Sequence, residues 1–127
     1  MRLGPAANLS RLLLSTIPRM YLSAIVVQEL YAGTLDRLGE RLVATFFSQT
    51  ERTGRIVIPA YRAWKETGRI LGTISRQEPA ERTRIPRLVN DVLLALSALQ
   101  IGATLCTLNG EDFRLIARYR KFSLEVL

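Results

Sequence analysis

The chain contains no histidine and only one cysteine, Cys106. The lack of histidine excludes catalytic triads built on His, His general bases and almost all zinc sites. A single cysteine cannot form an intrachain disulfide, and its neighbours in ATLCTL indicate a buried strand residue in a reducing compartment rather than a reactive thiol. Any chemistry must therefore rest on carboxylates, hydroxyl groups or arginine.

Long hydrophobic runs are also missing. The first twenty residues hold only a three-leucine run, Leu12–Leu14, which is too short for the apolar region of a signal peptide. The most apolar window, DVLLALSALQIGATLCTL, carries Asp, Gln and hydroxyl residues, so it does not read as a membrane span. The sequence predicts a cytoplasmic protein that folds as one domain over residues 1–127.

Positive charge is in excess, with 18 Lys and Arg against 11 Asp and Glu, a net charge of +7. Most of the basic residues are Arg, whose planar guanidinium suits bidentate contact with phosphate. A polyanionic partner is one interpretation. Solvated basic faces in a chain biased toward Arg codons are the other, and charge alone does not decide between them.

Apolar periodicity predicts strands that alternate with helices. We expect a short helix at residues 8–16, a strand at YLS, and a helix that has Ser23 as its N-cap. A helix at residues 35–50 and a strand at RIVIP follow. The next helix, AYRAWKETGRILGTIS, has Tyr61, Trp64, Ile70 and Leu71 on its expected core face, and a dimer contact is the alternative for Trp64, in preference to a surface that stacks on bases. Residues 76–87 are expected to form a surface loop.

The remainder predicts a helix at LVNDVLLALSALQIG, a buried strand at ATLCT, a helix at NGEDFRLIARY and a last strand at KFSLEVL. Strands that alternate with helices of this length are typical of βαβ units. The expected fold class is therefore α/β, with a parallel sheet covered on both faces.

Three acidic residues are expected at the edge of the sheet where the C-terminal ends of its strands gather, which is where parallel sheets place their sites. Asp91 is expected in the N-terminal turn of its helix, and Asp112 in the first turn after ATLCT. Complementing the helix dipole would explain either of these two acids. Glu29 is the only acidic residue among the first 35, and it lies in mid-helix beside apolar residues, where a carboxylate is costly unless an Arg or a cation pairs with it.

Carboxylates that cluster without histidine suit hard, oxygen-preferring cations, above all Mg²⁺ or Mn²⁺. In combination with an excess of arginine they favour phosphodiester chemistry. In such sites a metal binds the scissile phosphate and lowers the pKa of the attacking water.

Two segments, YLSAIVVQELYAG and NDVLLALSALQIGATLCTLNGEDF, resemble the PIN domain and are most similar to the VapC-type toxins of bacterial toxin–antitoxin pairs. The resemblance extends from about residue 20 to the end of the chain. It is carried by Glu29, Leu30 and Gly33, and by the spaced set Asp91, Ala95, Ala98, Gly102, Thr107, Asn109, Asp112 and Phe113.

The resemblance implies a three-layer α/β/α sandwich around a mainly parallel sheet, and a metal-dependent endoribonuclease that uses Mg²⁺ or Mn²⁺. It assigns Glu29, Asp91 and Asp112 as catalytic metal ligands with Asn109, and Thr107 and Ser23 as supporting residues. It also implies an RNA substrate, a homodimer, and a cognate antitoxin whose C-terminal segment covers the site.

The chain departs from the family in one respect. PIN domains open with an apolar strand that ends in a metal-binding Asp, whereas residues 1–28 contain no Asp or Glu. The expectation is thus an N-terminally truncated or decayed member. A remnant that binds antitoxin or RNA without cleaving is the alternative hypothesis, and a basic interaction domain outside the family is a third.

Overall fold

The computed structural model describes residues 20–127, so the helix predicted at residues 8–16 lies outside the described residues. The described chain is mixed α/β, with short strands between longer helices. In chain order the elements are β1 (Leu22–Ser23), α1 (Ala24–Ala32), α2 (Arg37–Arg52), β2 (Ile56–Val57), α3 (Tyr61–Gln77), a 3₁₀ helix (Pro79–Arg84), α4 (Ile85–Ile101), β3 (Leu105–Thr107), α5 (Gly110–Ala117) and β4 (Leu124–Val126).

All strand pairing in residues 20–127 is parallel, as the alternation of strands and helices predicts. β1 pairs with β2 in the register Leu22 to Ile56, and β3 pairs with β4 in the register Leu105 to Leu124. The four strands form two separate two-stranded sheets. Parallel strands need long crossovers, and here α1 and α2 connect one pair while α5 connects the other.

β1 and β3 both line a cavity of about 870 Å³, together with residues of α4. The Leu105 N–H donates to the Ser123 carbonyl at 2.9 Å, and the Thr107 carbonyl accepts from the Leu127 N–H at 2.9 Å. Because backbone groups alternate between the two edges of a strand, those of Cys106 point away from β4. Among the described residues, that edge of β3 carries no further strand.

The largest core lies between α3, α4 and α5. It forms because α4 is apolar at helical spacing on the side that meets α3, and α5 closes the remaining side. Gly102 ends α4 with φ +67°, a backbone conformation that favours glycine. The buried core residues are Ala63, Ile70, Leu71, Ile74, Leu88, Val92, Ala95, Leu96, Phe113, Leu115 and Ile116.

Residues 76–87 lie at the surface, as predicted, but the prediction that they form a loop is wrong. α3 continues to Gln77, a 3₁₀ helix follows, and α4 begins at Ile85. The two prolines that suggested a loop, Pro79 and Pro86, lie in the first turns of the 3₁₀ helix and of α4, where a missing N–H breaks no helical hydrogen bond. Asp91 consequently lies in the second turn of α4, not in its N-terminal turn.

Two predictions of burial are also wrong. Tyr61 and Trp64 are 80% and 54% exposed, because the buried stripe of α3 runs through Ala63, Thr67, Ile70, Leu71 and Ile74. Cys106 is exposed rather than buried, since it lies on β3 next to the cavity. Leu35, Leu38 and Leu42 are exposed as well, whereas Phe47 of the same predicted apolar stripe is fully buried.

Within residues 20–127, no helix is both long enough and apolar enough to cross a bilayer. α4 is the helix that the sequence singled out for its apolar character. Its apolar residues are used in the core between α3 and α5.

From the position of the core we predict how a cavity changes the free energy of unfolding. Replacing Ile74, which is 0% exposed, by Ala should lower the free energy of unfolding by about 2–5 kcal/mol. Leu35→Ala is the matched control, because Leu35 is 99% exposed and its replacement should change stability by less than about 0.5 kcal/mol. Urea unfolding followed by circular dichroism measures both values, and similar losses in the two variants would contradict this placement of the core.

Candidate acidic site

Asp112 is a buried carboxylate, 5% exposed, in the first turn of α5. Its Oδ1 accepts a hydrogen bond from Nη2 of Arg84, and its Oδ2 accepts one from Nδ2 of Asn109 at 3.2 Å. Nε of Arg87 lies 3.5 Å from the same Oδ2. Two guanidinium groups and one amide therefore surround this carboxylate.

These contacts set the charge of Asp112. Burial alone would raise the pKa of its carboxyl, but the hydrogen bonds from Arg84 and Asn109, with the positive charges of Arg84 and Arg87, hold that pKa below its ordinary value. Reciprocally, the hydrogen bond to Asp112 raises the pKa of Arg84. Both groups are ionised at neutral pH, and they form a charge-assisted pair.

Asp91 presents the opposite case. It is half-buried on α4, and its carboxyl makes no hydrogen bond or ion pair with the described residues. Its pKa rises to about 6, first because of burial and then because of the negative charges of Asp112 and Glu29, while Arg87 acts in the other direction. Ionised Asp91 lacks a compensating partner here, so a cation beside it would be stabilising.

Glu29 lies on α1 with its side chain exposed to solvent. The expectation that it carries the cost of a carboxylate on an apolar face is thus wrong, because water solvates it. Its charge nevertheless contributes to the raised pKa of Asp91. The negative charges of Glu29 on α1 and Asp112 on α5 therefore both act on Asp91, which lies on α4.

The predicted supporting residues have distinct local tasks. Asn109 precedes α5 and donates its side-chain amide to Asp112. Thr107, at the end of β3, accepts the Asn109 backbone N–H on its Oγ1 at 3.0 Å and so fixes the turn that positions Asn109. Ser23 is the N-cap of α1, as predicted, and its Oγ accepts the Ile25 N–H at 3.2 Å. Capping alone accounts for Ser23.

Arg84 and Arg87 are the two site residues that the sequence reasoning missed. Both lie within residues 76–87, where the sequence predicts a loop, and a loop gives no indication that they share a helix side with Asp91. Arg87 precedes Asp91 by four residues on α4, and Arg84, the N-cap residue of α4, precedes it by seven, so all three lie on the same side of this helix. That spacing is the signal that an uninterrupted helix through Pro86 would have revealed.

The ligand types at this site suit a divalent cation, but the positions of the acidic residues do not. Carboxylate and amide oxygens are suitable ligands for Mg²⁺ or Mn²⁺. Within residues 20–127, however, no group of three or more Asp, Glu, Cys or His residues is close enough to hold a metal ion. Both oxygens of Asp112 have donors, while the buried Nε of Arg84 has no acceptor among the described residues.

The raised pKa of Asp91 predicts a pH-dependent stability. A carboxyl whose pKa is about 6 in the folded chain and 3.8 as its ordinary value costs no stability below pH about 4, destabilises the fold increasingly between pH about 4 and about 6, and keeps its full cost at higher pH. Asp91→Asn should therefore raise the free energy of unfolding by about 1–2 kcal/mol at pH 7 and by nearly nothing at pH 4. Urea titrations at both pH values measure this, and an equal gain at both would contradict the assigned environment.

The pair between Arg84 and Asp112 predicts a large coupling. Arg84→Ala should destabilise the fold by about 3 kcal/mol, because it leaves a buried carboxylate without its charge partner. The same substitution in an Asp112→Asn background should cost much less. Arg118→Ala is the control, since Arg118 pairs with Glu78 at 2.9 Å on the surface and should lose less than about 1 kcal/mol. Additive losses in the double-mutant cycle would contradict the coupling.

No family model, no curated protein and no solved structure matches the chain.

Proposed function

We propose that the chain is a PIN-like protein of VapC type, with a three-layer α/β/α arrangement around a mainly parallel sheet. Two observations support this fold. Both strand pairs are parallel, and the unpaired edge of β3 lines the same cavity as β1. That cavity is where the opening strand of the PIN family, often central in its sheet, would join the two halves.

The proposed activity is metal-dependent endoribonuclease cleavage, as the toxin component of a toxin–antitoxin pair. The observation that carries it is the position of Asp91, which is half-buried, makes no hydrogen bond or ion pair with the described residues, and lies within the electrostatic influence of Asp112 and Glu29; burial first, and then these two charges, raise the pKa of its carboxyl. The residues that the resemblance assigns to Mg²⁺ or Mn²⁺ are Glu29, Asp91, Asp112 and Asn109, and the three acids would have to move closer together to hold the ion, since within residues 20–127 no such group is close enough. When bound, such a cation activates a water molecule and stabilises negative charge at the scissile phosphate.

The chain's own residues divide the remaining tasks. Arg84 and Asn109 orient Asp112 through direct hydrogen bonds. Arg87 has a side chain that is 65% exposed beside the acids, so its guanidinium can contact an RNA phosphate from solvent.

A catalytically impaired remnant that binds antitoxin or RNA without cleavage is the second candidate. The guanidinium of Arg84 on Asp112 favours it, because a cation would have to displace that contact to use Oδ1. The absence of any acidic residue from residues 1–28 favours it as well. Cleavage by the purified chain is the property that separates the two candidates.

The proposed partners are an RNA substrate, a cognate antitoxin and a second copy of the chain, all in the cytoplasm. The exposed leucines Leu35, Leu38 and Leu42 support the homodimer, because an apolar surface of this kind is typical of contact sites. The net charge of +7 supports a polyanionic partner.

Cleavage of RNA tests the proposed activity. With Mn²⁺, the purified chain should cut a fluorescently labelled single-stranded RNA, and Asp91→Asn should lower the rate by about 10²–10⁴-fold, since it removes the carboxylate at which the three charges meet. Glu51→Gln is the matched control, because Glu51 is an exposed acid on α2 and its loss should not alter the rate. Unchanged cleavage by Asp91→Asn would defeat the proposal.

The impaired remnant gives a different pattern with the same reagents. The chain would then bind RNA but not cut it in Mn²⁺. Fusion of an apolar strand that ends in Asp-Thr to the N-terminus would restore both Mn²⁺ binding, measured by calorimetry, and cleavage. A fused chain that does not bind Mn²⁺ would count against both candidates.

A further inference from the structure

A second cavity, also of about 870 Å³, lies between α3, the C-terminal part of α4 and the residues that follow α5. None of Glu29, Asp91 and Asp112 lines it, so it is separate from the acidic site. Four cationic side chains line it, and we call them the basic face: Arg62, Lys65, Arg69 and Arg120. The only acid in the lining is Glu66, whose Oε1 lies 3.4 Å from Nε of Arg120.

The basic face is organised by helix geometry. Arg62, Lys65 and Arg69 follow one another at spacings of three and four residues, which places them on one side of α3. All three are exposed, and none forms an ion pair within residues 20–127. Since like charges on one helix face repel, an anionic ligand in this groove would be stabilising.

Two exposed aromatic side chains adjoin the basic face. Tyr61 precedes Trp64 by three residues and Lys65 by four, so its ring lies beside both on the solvent side of α3. Neither aromatic residue belongs to the core, and neither has a ring contact with another described aromatic residue. Large rings held in water on a rigid helix are available for stacking.

The combination of cations and aromatic rings distinguishes between ligands. An acidic peptide would satisfy the cations but would give the exposed rings no planar partner. A single strand of nucleic acid offers phosphates at regular intervals together with bases that stack on aromatic side chains. The basic face, with Tyr61 next to Lys65 and Trp64 next to Tyr61 on the exposed side of α3 outside the cavity lining, matches this second chemistry.

We propose that the basic face, with Tyr61 and Trp64, is the surface that binds single-stranded RNA. The cations contact backbone phosphates, and the rings stack on bases. This inference rests on the proposed function for RNA as the ligand, but it does not depend on cleavage. The main binding contacts with RNA are then made by α3, away from the acidic residues.

Measurement of RNA binding in the absence of metal tests this inference. A labelled oligouridylate of about 12 nucleotides is titrated in EDTA, with fluorescence anisotropy for affinity. Trp64 is the only tryptophan in the chain, so quenching of the intrinsic tryptophan fluorescence reports stacking on that one ring. The triple variant Arg62→Ala/Lys65→Ala/Arg69→Ala should bind at least about tenfold more weakly, and its slope of log K against log salt should be smaller by about 2.

The matched control removes three positive charges from α2 instead of α3. Arg37→Ala/Arg41→Ala/Arg52→Ala takes three exposed arginines from α2 and should leave the affinity within about twofold of wild type. Equal weakening by the two triple variants would overturn the inference, because it would show an effect of net charge only. Trp64→Ala should bind about tenfold more weakly, whereas Trp64→Phe should bind nearly as wild type.

Failure of the inference and failure of the proposed function give different results. If the wild-type chain binds the oligouridylate with Trp64 quenching but does not cut RNA in Mn²⁺, the inference stands and the nuclease fails. If the chain cuts RNA with an unchanged KM in the α3 triple variant, the inference fails and the nuclease stands. If Trp64→Ala changes the sedimentation mass but not RNA affinity, the ring is a protein contact and the inference falls.

Discussion

Asp112 is buried, and a buried carboxylate is stable only when charges or hydrogen-bond donors replace the water that it has lost. Arg84 supplies that replacement from a position 28 residues earlier in the chain. The pair fixes the end of the 3₁₀ helix against the start of α5, and so it determines where α4 begins relative to the acidic residues. The rest of the site follows from this contact, including the position of Arg87 and the field at Asp91.

Two carboxyl groups in one neighbourhood have their pKa values moved in opposite directions. Asp112 has donors and stays ionised, while Asp91 has none and holds its proton to a pH of about 6. A difference of this kind is typical of sites that divide acid and base tasks, although structural ion pairs also produce it. Among residues 20–127 no compact metal-binding group exists, and the guanidinium groups of Arg84 and Arg87 contact the carboxylate oxygens of Asp112 that a cation would use.

Much of the fold could be predicted from the sequence, because its signals are local. The N-cap at Ser23, the apolar period of α4 and the glycine that ends it predict those elements directly. Residues 76–87 could not be predicted as helical, since Pro79 and Pro86 have the same local signature in a loop and in the first turn of a helix. The exposure of Tyr61 and Trp64 was unpredictable for another reason: burial depends on which face of α3 meets α4, and this is a tertiary property. The electrostatic influence of Asp112 and Glu29 on Asp91 could be expected from the order of the elements, whereas the lack of a compact group of three acids among the described residues, and the arginines beside Asp112, could not.

The division of the strands into two pairs has a consequence for motion. No ladder hydrogen bond joins β1 and β2 to β3 and β4 in the described part of the chain. The β1–β2 pair can therefore open without breaking any backbone bond of the other pair, whereas β3 and β4 are connected through α5 to the largest core. Amide protons of Leu22 and Val57 would then exchange with solvent through local opening, and those of α4 only through global unfolding.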